Sequence, residues 1–283
     1  MKKRPIIALA LGGGGALGFA HIGVIDILQK NNIPIDIVVG TSMGAVVGAI
    51  YCNGASIEDM EKMATNIKTR QLLDVSLGFQ GLISGNKAMN MLKKILPKDK
   101  NIEDLPVKFA CNAVDIVRGK EVVFEKGNIL KSLRASMSVP GVFVPVRYEG
   151  MTLVDGGVLN NLPHDIARRM GADIVIAVDV VSSSEFSGNP RTAVGILARS
   201  WLIAQQESQN NRRKFYNVKI TPNMPKHRQH VFDDDEAKEI INEGRIAAQK
   251  SISKISELIE NFKFRKDDVY GGKDLWICES IQH

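Results

Sequence analysis

The 283-residue chain is poor in cysteine: it has three, and no C-x-x-C pair. Cys52, Cys111 and Cys278 are too few and too scattered for a disulfide scaffold or a thiolate metal cage, which fits a reducing, cytoplasmic setting. Also missing are an apolar run of the ~20 residues that a membrane span needs, any internal repeat and any low-complexity tract. Charge is not massed in one place. The net +6 is spread along the chain, which describes a soluble basic protein rather than a nucleic-acid binder.

What is present is enough apolar sequence, 44%, to bury a substantial core. The expected organisation is one domain over residues 1–265 followed by a peripheral polar tail, 266–283. The opening MKKRPIIALALGGGGALGFA imitates a secretory signal, but Pro5 and the glycines Gly12 to Gly15 oppose the helix a signal needs. It is read instead as mature protein: a strand over 5–11, a glycine loop, and a helix over 18–30 with His21, Val24, Ile25 and Leu28 on one face. A second apolar strand over 34–39 completes a β-α-β unit. Wholly apolar strands imply a parallel sheet covered on both sides, so the fold class is α/β, three layers, with a mainly parallel central sheet.

Further along, Ser56 and Asn128 read as helix caps, residues 109–114 and 121–124 as strands joined across Arg118-Gly119, Pro163 as the first turn of a helix, and 174–180 as a buried strand. Two helical stripes, Val194, Leu197, Trp201 and Ala204, and then Ile240, Ile241, Ile252, Ile255 and Ile259 within 237–262, are expected against the flank of the sheet. The segment 86–97 (NKAMNMLKKILP) is a basic amphipathic helix in pattern. It reads either as an ordinary surface helix or as a lid or patch that touches an anionic membrane surface.

The chemistry concentrates at GTSMG. Ser42 lies in G-x-S-x-G directly after an apolar strand and before a helix of small residues, the setting of a nucleophile elbow. Gly40 and Gly44 remove the side chains that so sharp a turn could not accommodate. A serine that merely capped a helix would need neither glycine. The loop through Gly13, Gly15 and Gly18 spells G-x-G-x-x-G, the dinucleotide fingerprint, yet the second strand ends in Gly40-Thr41-Ser42 with no acidic residue to hold a ribose. Beside a serine nucleophile, the loop's N–H groups suit an oxyanion hole instead. For a proton acceptor, Asp155 stands at the end of a short apolar run with Gly156-Gly157 behind it, although Asp-Gly-Gly alone reads first as a turn. Of the five histidines, His164 at a helix start reads as a capping or surface residue, and His21 as a buried structural one.

Read together, GGGGALG, GTSMG, SMSVPGVFVPV (136–146) and DGGVLNNLP (155–163), in that order, resemble the patatin-like phospholipases, a family of lipid acyl hydrolases; the resemblance covers about residues 5–180. It implies a Ser-Asp dyad without histidine: Ser42 as nucleophile, Asp155 as general base, and Gly13, Gly14 and Gly15 as the oxyanion loop. It further implies a lipid acyl ester as substrate and neither metal nor organic cofactor. Many members carry Arg or Lys where this chain has Leu17, which leaves phospholipid, lysophospholipid and simple esters open. An acyltransferase using the same dyad, a nucleotide-binding protein and a non-catalytic adaptor remain the alternatives, and the sequence leaves the oligomeric state open.

Overall fold

Every residue of β1 (Ile7–Leu11) is buried, because the strand is covered on both faces. Ile7, Leu9 and Leu11 enter the larger of two cores, and Ala8 and Ala10 the smaller, following the period-2 geometry of a strand. β7 (Ile174–Val178) alternates likewise, with Val175 and Ala177 on the small side. The structure, a computed structural model, describes residues 4–68, 74, 81, 83–183, 190–211, 213–224 and 233–262; the expected tail lies outside them.

The remaining strands are β2 (Ile37–Gly40), β3 (Lys108–Asp115), β4 (Lys120–Phe124), β5 (Val146–Tyr148), β6 (Met151–Asp155) and β8 (Val218–Ile220). They form an eight-stranded sheet in the order β5-β6-β3-β2-β1-β7-β8, with β4 also on β3. β1, β2, β3, β7 and β8 are parallel, β4 and β6 run against them, and β5, antiparallel to β6, runs with them. The large core lies under α1 (Ala20–Lys30), α2 (Met43–Cys52), α3 (Ile57–Asn66), α5 (Ile129–Ser136), α8 (Asp234–Gln249) and α9 (Ile252–Glu260), and the small one under α6 (His164–Arg169). This is the three-layer arrangement that the apolar strands imply.

The pairing along β3 decides where the site forms. β2 pairs with β3 up to Gly40 opposite Cys111, and β6 pairs with it from Leu153 opposite Asp115 down to Asp155 opposite Ala113. β4 covers Cys111 to Asp115 and shares partners with both, so β2 and β6 must occupy the same, opposite edge. On that edge the two strands run toward each other and stop with only Asn112 between their ends. The carboxyl ends of β2 and β6 therefore meet.

α1 and α8 cross at backbone contact. A Cβ on Gly23 would lie 1.9 Å from the Ile241 carbonyl oxygen, and one on Gly244 would lie 2.0 Å from that of Ala20. At the rim of this crossing Arg245 reaches Asp26 at 2.7 Å and also pairs with Glu61 of α3.

Three expectations change. The stripe over 237–262 is two helices, α8 and α9, broken at Lys250-Ser251. The segment 86–97 is only partly helical, as α4 (Asn86–Leu92); Ala88, Leu92 and Leu96 are buried and Met89 and Ile95 pack on the core, so its apolar side is spent inside the domain, as the surface-helix reading expects. In α7 (Ala193–Asn211) the expected inward stripe is met only in part: Leu197 is 69% exposed and Ala204 is exposed, Trp201 is half-buried and Gln205 is buried, and the Val194 side chain lies outside what is described.

Candidate active site

Ser42 sits between β2 and α2 with φ 53° and ψ −123°, a backbone state that costs a non-glycine residue about 1–3 kcal/mol and persists only where its surroundings enforce it. The enforcement is steric. A Cβ on Gly40 would stand 2.4 Å from the Ala45 nitrogen, and one on Gly44 would stand 2.3 Å from the Leu11 carbonyl oxygen. Both flanking glycines are thus required by close approach, as the elbow reading expects.

The turn is also tied down by hydrogen bonds. The Ser42 amide donates to Ser136 Oγ at 2.9 Å, and the Thr41 hydroxyl is shared between Asn112 Oδ1 at 2.8 Å and the Asn160 carbonyl at 3.1 Å. Asn112, the residue between the two strand ends, also donates to the Asn160 carbonyl and to Glu121. Ser138, two residues after Ser136, accepts the Asp155 amide on its carbonyl at 2.9 Å. The SMS stretch therefore holds the backbone of both residues of interest, one serine to each. Ser136→Ala would leave the buried Ser42 amide unpaired; the expected outcome is a stability loss of about 1–3 kcal/mol, measured by urea unfolding.

Asp155 is fully buried. Its Oδ1 accepts the Gly157 amide at 2.8 Å, and its Oδ2 is buried with no hydrogen-bond partner. Burial pushes the carboxyl up to about 7 against the opposing pull of the Ser42 hydroxyl and the Gly157 amide. The hydroxyl is near enough to act on the carboxyl, but Oδ2 is short of a formed bond with it, a spacing common in catalytic pairs before substrate arrives. A carboxyl in this state can take up a proton near neutral pH.

The glycine loop lies against the serine: a Cβ on Gly13 would be 3.1 Å from Ser42 Cβ and 2.5 Å from Asn161 Oδ1. The amide of Gly13 is already used, donating to the Asn161 carbonyl at 3.1 Å, so Gly13 serves close approach rather than donation, which corrects the expectation for that residue. The amides of Gly14 and Gly15, and that of Met43 next to the serine, donate to no acceptor among the described residues. Gly18 is consumed by packing, since its Cβ would meet Met43 Cγ at 2.4 Å. Of the fingerprint glycines, Gly13 and Gly18 are thus accounted for by the fit of loop to elbow, and Gly15 by its φ of 56°.

Both central histidines are engaged by neighbours of their own. His21 Nε2 is 2.7 Å from the Gly12 carbonyl, Nδ1 is buried without a partner, and burial lowers the imidazole to about 4, so it holds the loop as a neutral ring. His164 is buried at the start of α6 with its ring against Tyr216 and Phe215. Sequence reading missed Asn112, Asn161, the Met43 amide and Gln205. Gln205 reaches from α7 to the Gly157 carbonyl at 3.0 Å, and the neighbouring Gln206 reaches Val181 at 3.1 Å, beside the glycine loop. No local pattern marks Gln205, which lies 48 residues from its partner.

Among the described residues no group of three or more His, Cys, Asp or Glu side chains gathers as a metal site, and no helix is long and apolar enough to cross a membrane.

An open α/β sheet with a strained serine at one strand end and a buried aspartate facing it defines the fold and site class; comparison with known proteins gives the family. The profile described as Patatin-like phospholipase matches residues 9–168. An uncharacterized NTE family protein of Mycobacterium bovis is 36% identical over 204 residues, 71% of this chain and 56% of that protein. Patatin-like phospholipase domain-containing protein 7 of Rattus norvegicus is 39% identical over 189 residues, 63% of this chain and 14% of its own length. Lysophospholipase nte1 of Aspergillus fumigatus is 36% identical over 203 residues, 70% and 13% respectively. Among solved structures, VipD from Legionella pneumophila superposes with a TM-score of 0.61 at 16% identity, covering 89% of this chain and 67% of that one, which shows the shared fold. The chain belongs to the patatin-like phospholipase family. It spans about half the length of the mycobacterial relative and about a seventh of the larger eukaryotic ones.

Proposed function

We propose that the protein is a serine hydrolase that cleaves acyl esters of lipids through an acyl-enzyme on Ser42. The observation that carries this is the buried Asp155 carboxyl, raised to about 7 and with Oδ2 unpartnered, beside a serine held in a strained elbow. Serine attacks poorly unless a neighbouring base takes its proton. Here Asp155 Oδ2 accepts that proton as Ser42 Oγ bonds to the ester carbonyl carbon, and the negative oxygen that forms is met by the open amides of Gly14, Gly15 and Met43. One such donor is worth about 3 kcal/mol of barrier. Collapse expels the alcohol, which takes the proton back from Asp155; water then enters by the same route, and hydrolysis of the acyl-enzyme frees the fatty acid.

Family membership and the lysophospholipase name borne by relatives support lipid esters as the substrate class. Leu17, fully buried in the large core, gives the site no cation at that position, which favours substrates selected by their acyl chain over those selected by phosphate. The test is labelling with a fluorophosphonate followed by peptide mapping. The expected result is modification at Ser42 in the native chain and none in Ser42→Ala; modification elsewhere, or persistent ester turnover by Ser42→Ala, would overturn the reading.

A further inference from the structure

The most exposed large apolar side chains of the described surface crowd toward one end of the sheet. Because β1, β2, β3 and β7 are parallel, their carboxyl ends share one rim, and Ser42 stands on it. β3 passes the level of Gly40 at Cys111 and runs on to Asp115, so the turn that follows projects roughly 16 Å beyond the elbow. At its tip Ile116 is 50% and Val117 75% exposed. α7 starts from the same rim, since it links the carboxyl end of β7 to the amino end of the parallel β8. Gln205 and Gln206 fix it to the acid loop and the glycine loop, so the nine residues back to Ile196 reach about 13 Å outward. That projecting part carries Ile196 and Leu197, and Leu159 beside the acid loop is 37% exposed.

Buried side chains would account for such residues, and these are not buried. Their surroundings say what could cover them. From 190 to 206 the charged residues are Arg191 and Arg199 alone, with no acid from there to Glu207, and the hairpin tip carries Arg118, whose side chain is 58% exposed while one guanidinium nitrogen is paired with the buried Asp115 at 2.6 Å. Apolar side chains on two projecting elements, flanked by cations and standing around a site that takes an acyl chain, match a flat anionic surface with an apolar interior.

We infer that this rim docks on a lipid bilayer containing anionic lipid: Ile116, Val117, Ile196 and Leu197 enter the boundary between headgroups and acyl chains, Arg118, Arg191 and Arg199 lie among the headgroups, and the site opens toward the membrane. The inference rests on the lipid-hydrolase reading and adds where the substrate is taken from.

The test uses vesicles of phosphatidylcholine with a minor fraction of phosphatidylglycerol. Ser42→Ala protein, which cannot consume the lipid, is expected to sediment with them, and the same protein carrying Val117→Asp and Leu197→Asp is expected to bind roughly a hundredfold more weakly. In a chain with Ser42 intact, the paired substitution is expected to lower hydrolysis of vesicle phospholipid while leaving turnover of soluble p-nitrophenyl butyrate unchanged, which also reports an intact fold. Should the pair reduce soluble-ester turnover, Val117→Ser alone carries the comparison. Undiminished vesicle binding by the variants would overturn the docking face and leave the hydrolase reading standing, whereas soluble-ester turnover surviving Ser42→Ala would overturn the hydrolase reading by itself. A lipid-free dimer in sedimentation velocity, dissolved by the same pair, would assign the rim to a second copy of the chain and also overturn the inference.

Discussion

Asp155→Asn is expected to cut ester turnover by a factor on the order of 10⁴ and, at the same time, to make the protein more stable above neutral pH. The first effect follows because Asn cannot accept the serine proton. The second follows from burial. The carboxyl's ordinary value is 3.8 and its value in the folded chain is about 7, so between those limits the folded state keeps a proton that the unfolded chain has released. Stability contributed by this group therefore falls as pH rises from about 4 to about 7, and above that it stays at its lowest, about 4 kcal/mol down. Asn carries no such penalty. The gain in melting temperature of Asp155→Asn over the native chain should be small near pH 4, grow through the window and level off above 7. His21, lowered to about 4, has the opposite sign, because it adds stability as pH rises, but it is present in both proteins and cancels in the difference. Thermal unfolding of the two chains across that range decides it, and a flat difference would refute the buried-charge account. Activity of the native enzyme should fall about tenfold per unit below an apparent pKa near 7, since only the ionised carboxylate can act as base.

Gly23→Ala and Gly244→Ala are each expected to cost about 1–3 kcal/mol or more, against the usual sign in helices, where alanine is favoured over glycine. The added methyl group would lie 1.9 Å or 2.0 Å from a carbonyl oxygen of the facing helix, and backbone cannot rotate away as a side chain can. The helices must separate, and α1 takes His21 with it, the ring that holds the Gly12 carbonyl at the root of the glycine loop. Stability and ester turnover should therefore drop together. Denaturant midpoints for both variants are the measurement, and a loss below about 1 kcal/mol would contradict the backbone contact.

Much of this was legible in residues 5–180, because there local signals agree with tertiary structure. The glycines around Ser42 announce a turn too tight for side chains, Asn128 and Ser56 cap their helices through Lys131 and Asp59 as their positions suggest, and wholly apolar β1 and β7 can exist only under cover on both sides. Taken by itself Asp155 reads only as a strand-end acid, and it is the family resemblance that pairs it with Ser42, because the pairing depends on which edge of β3 receives β6, a match between segments about forty residues apart. The inward face of α7 is only partly legible, because Leu197 and Ala204 of its apolar period face out while Trp201 is half-buried; burial is decided by what the helix packs on, and a glutamine makes its contact with the acid loop. Gly13 looked like its two neighbours until the Asn161 carbonyl took its amide.

The end-to-end meeting of β2 and β6 along a single edge of β3 makes sheet register the first determinant of how Ser42 and Asp155 face each other, with the elbow completing the approach. One strand gauges both ends, so the more distant loops can lengthen or change without moving the two strand ends apart. The same rigidity is unforgiving in another direction. A single residue inserted into β3 beside Asn112 would turn Asp155 to the opposite face of the sheet, away from Ser42, while leaving both residues in the sequence.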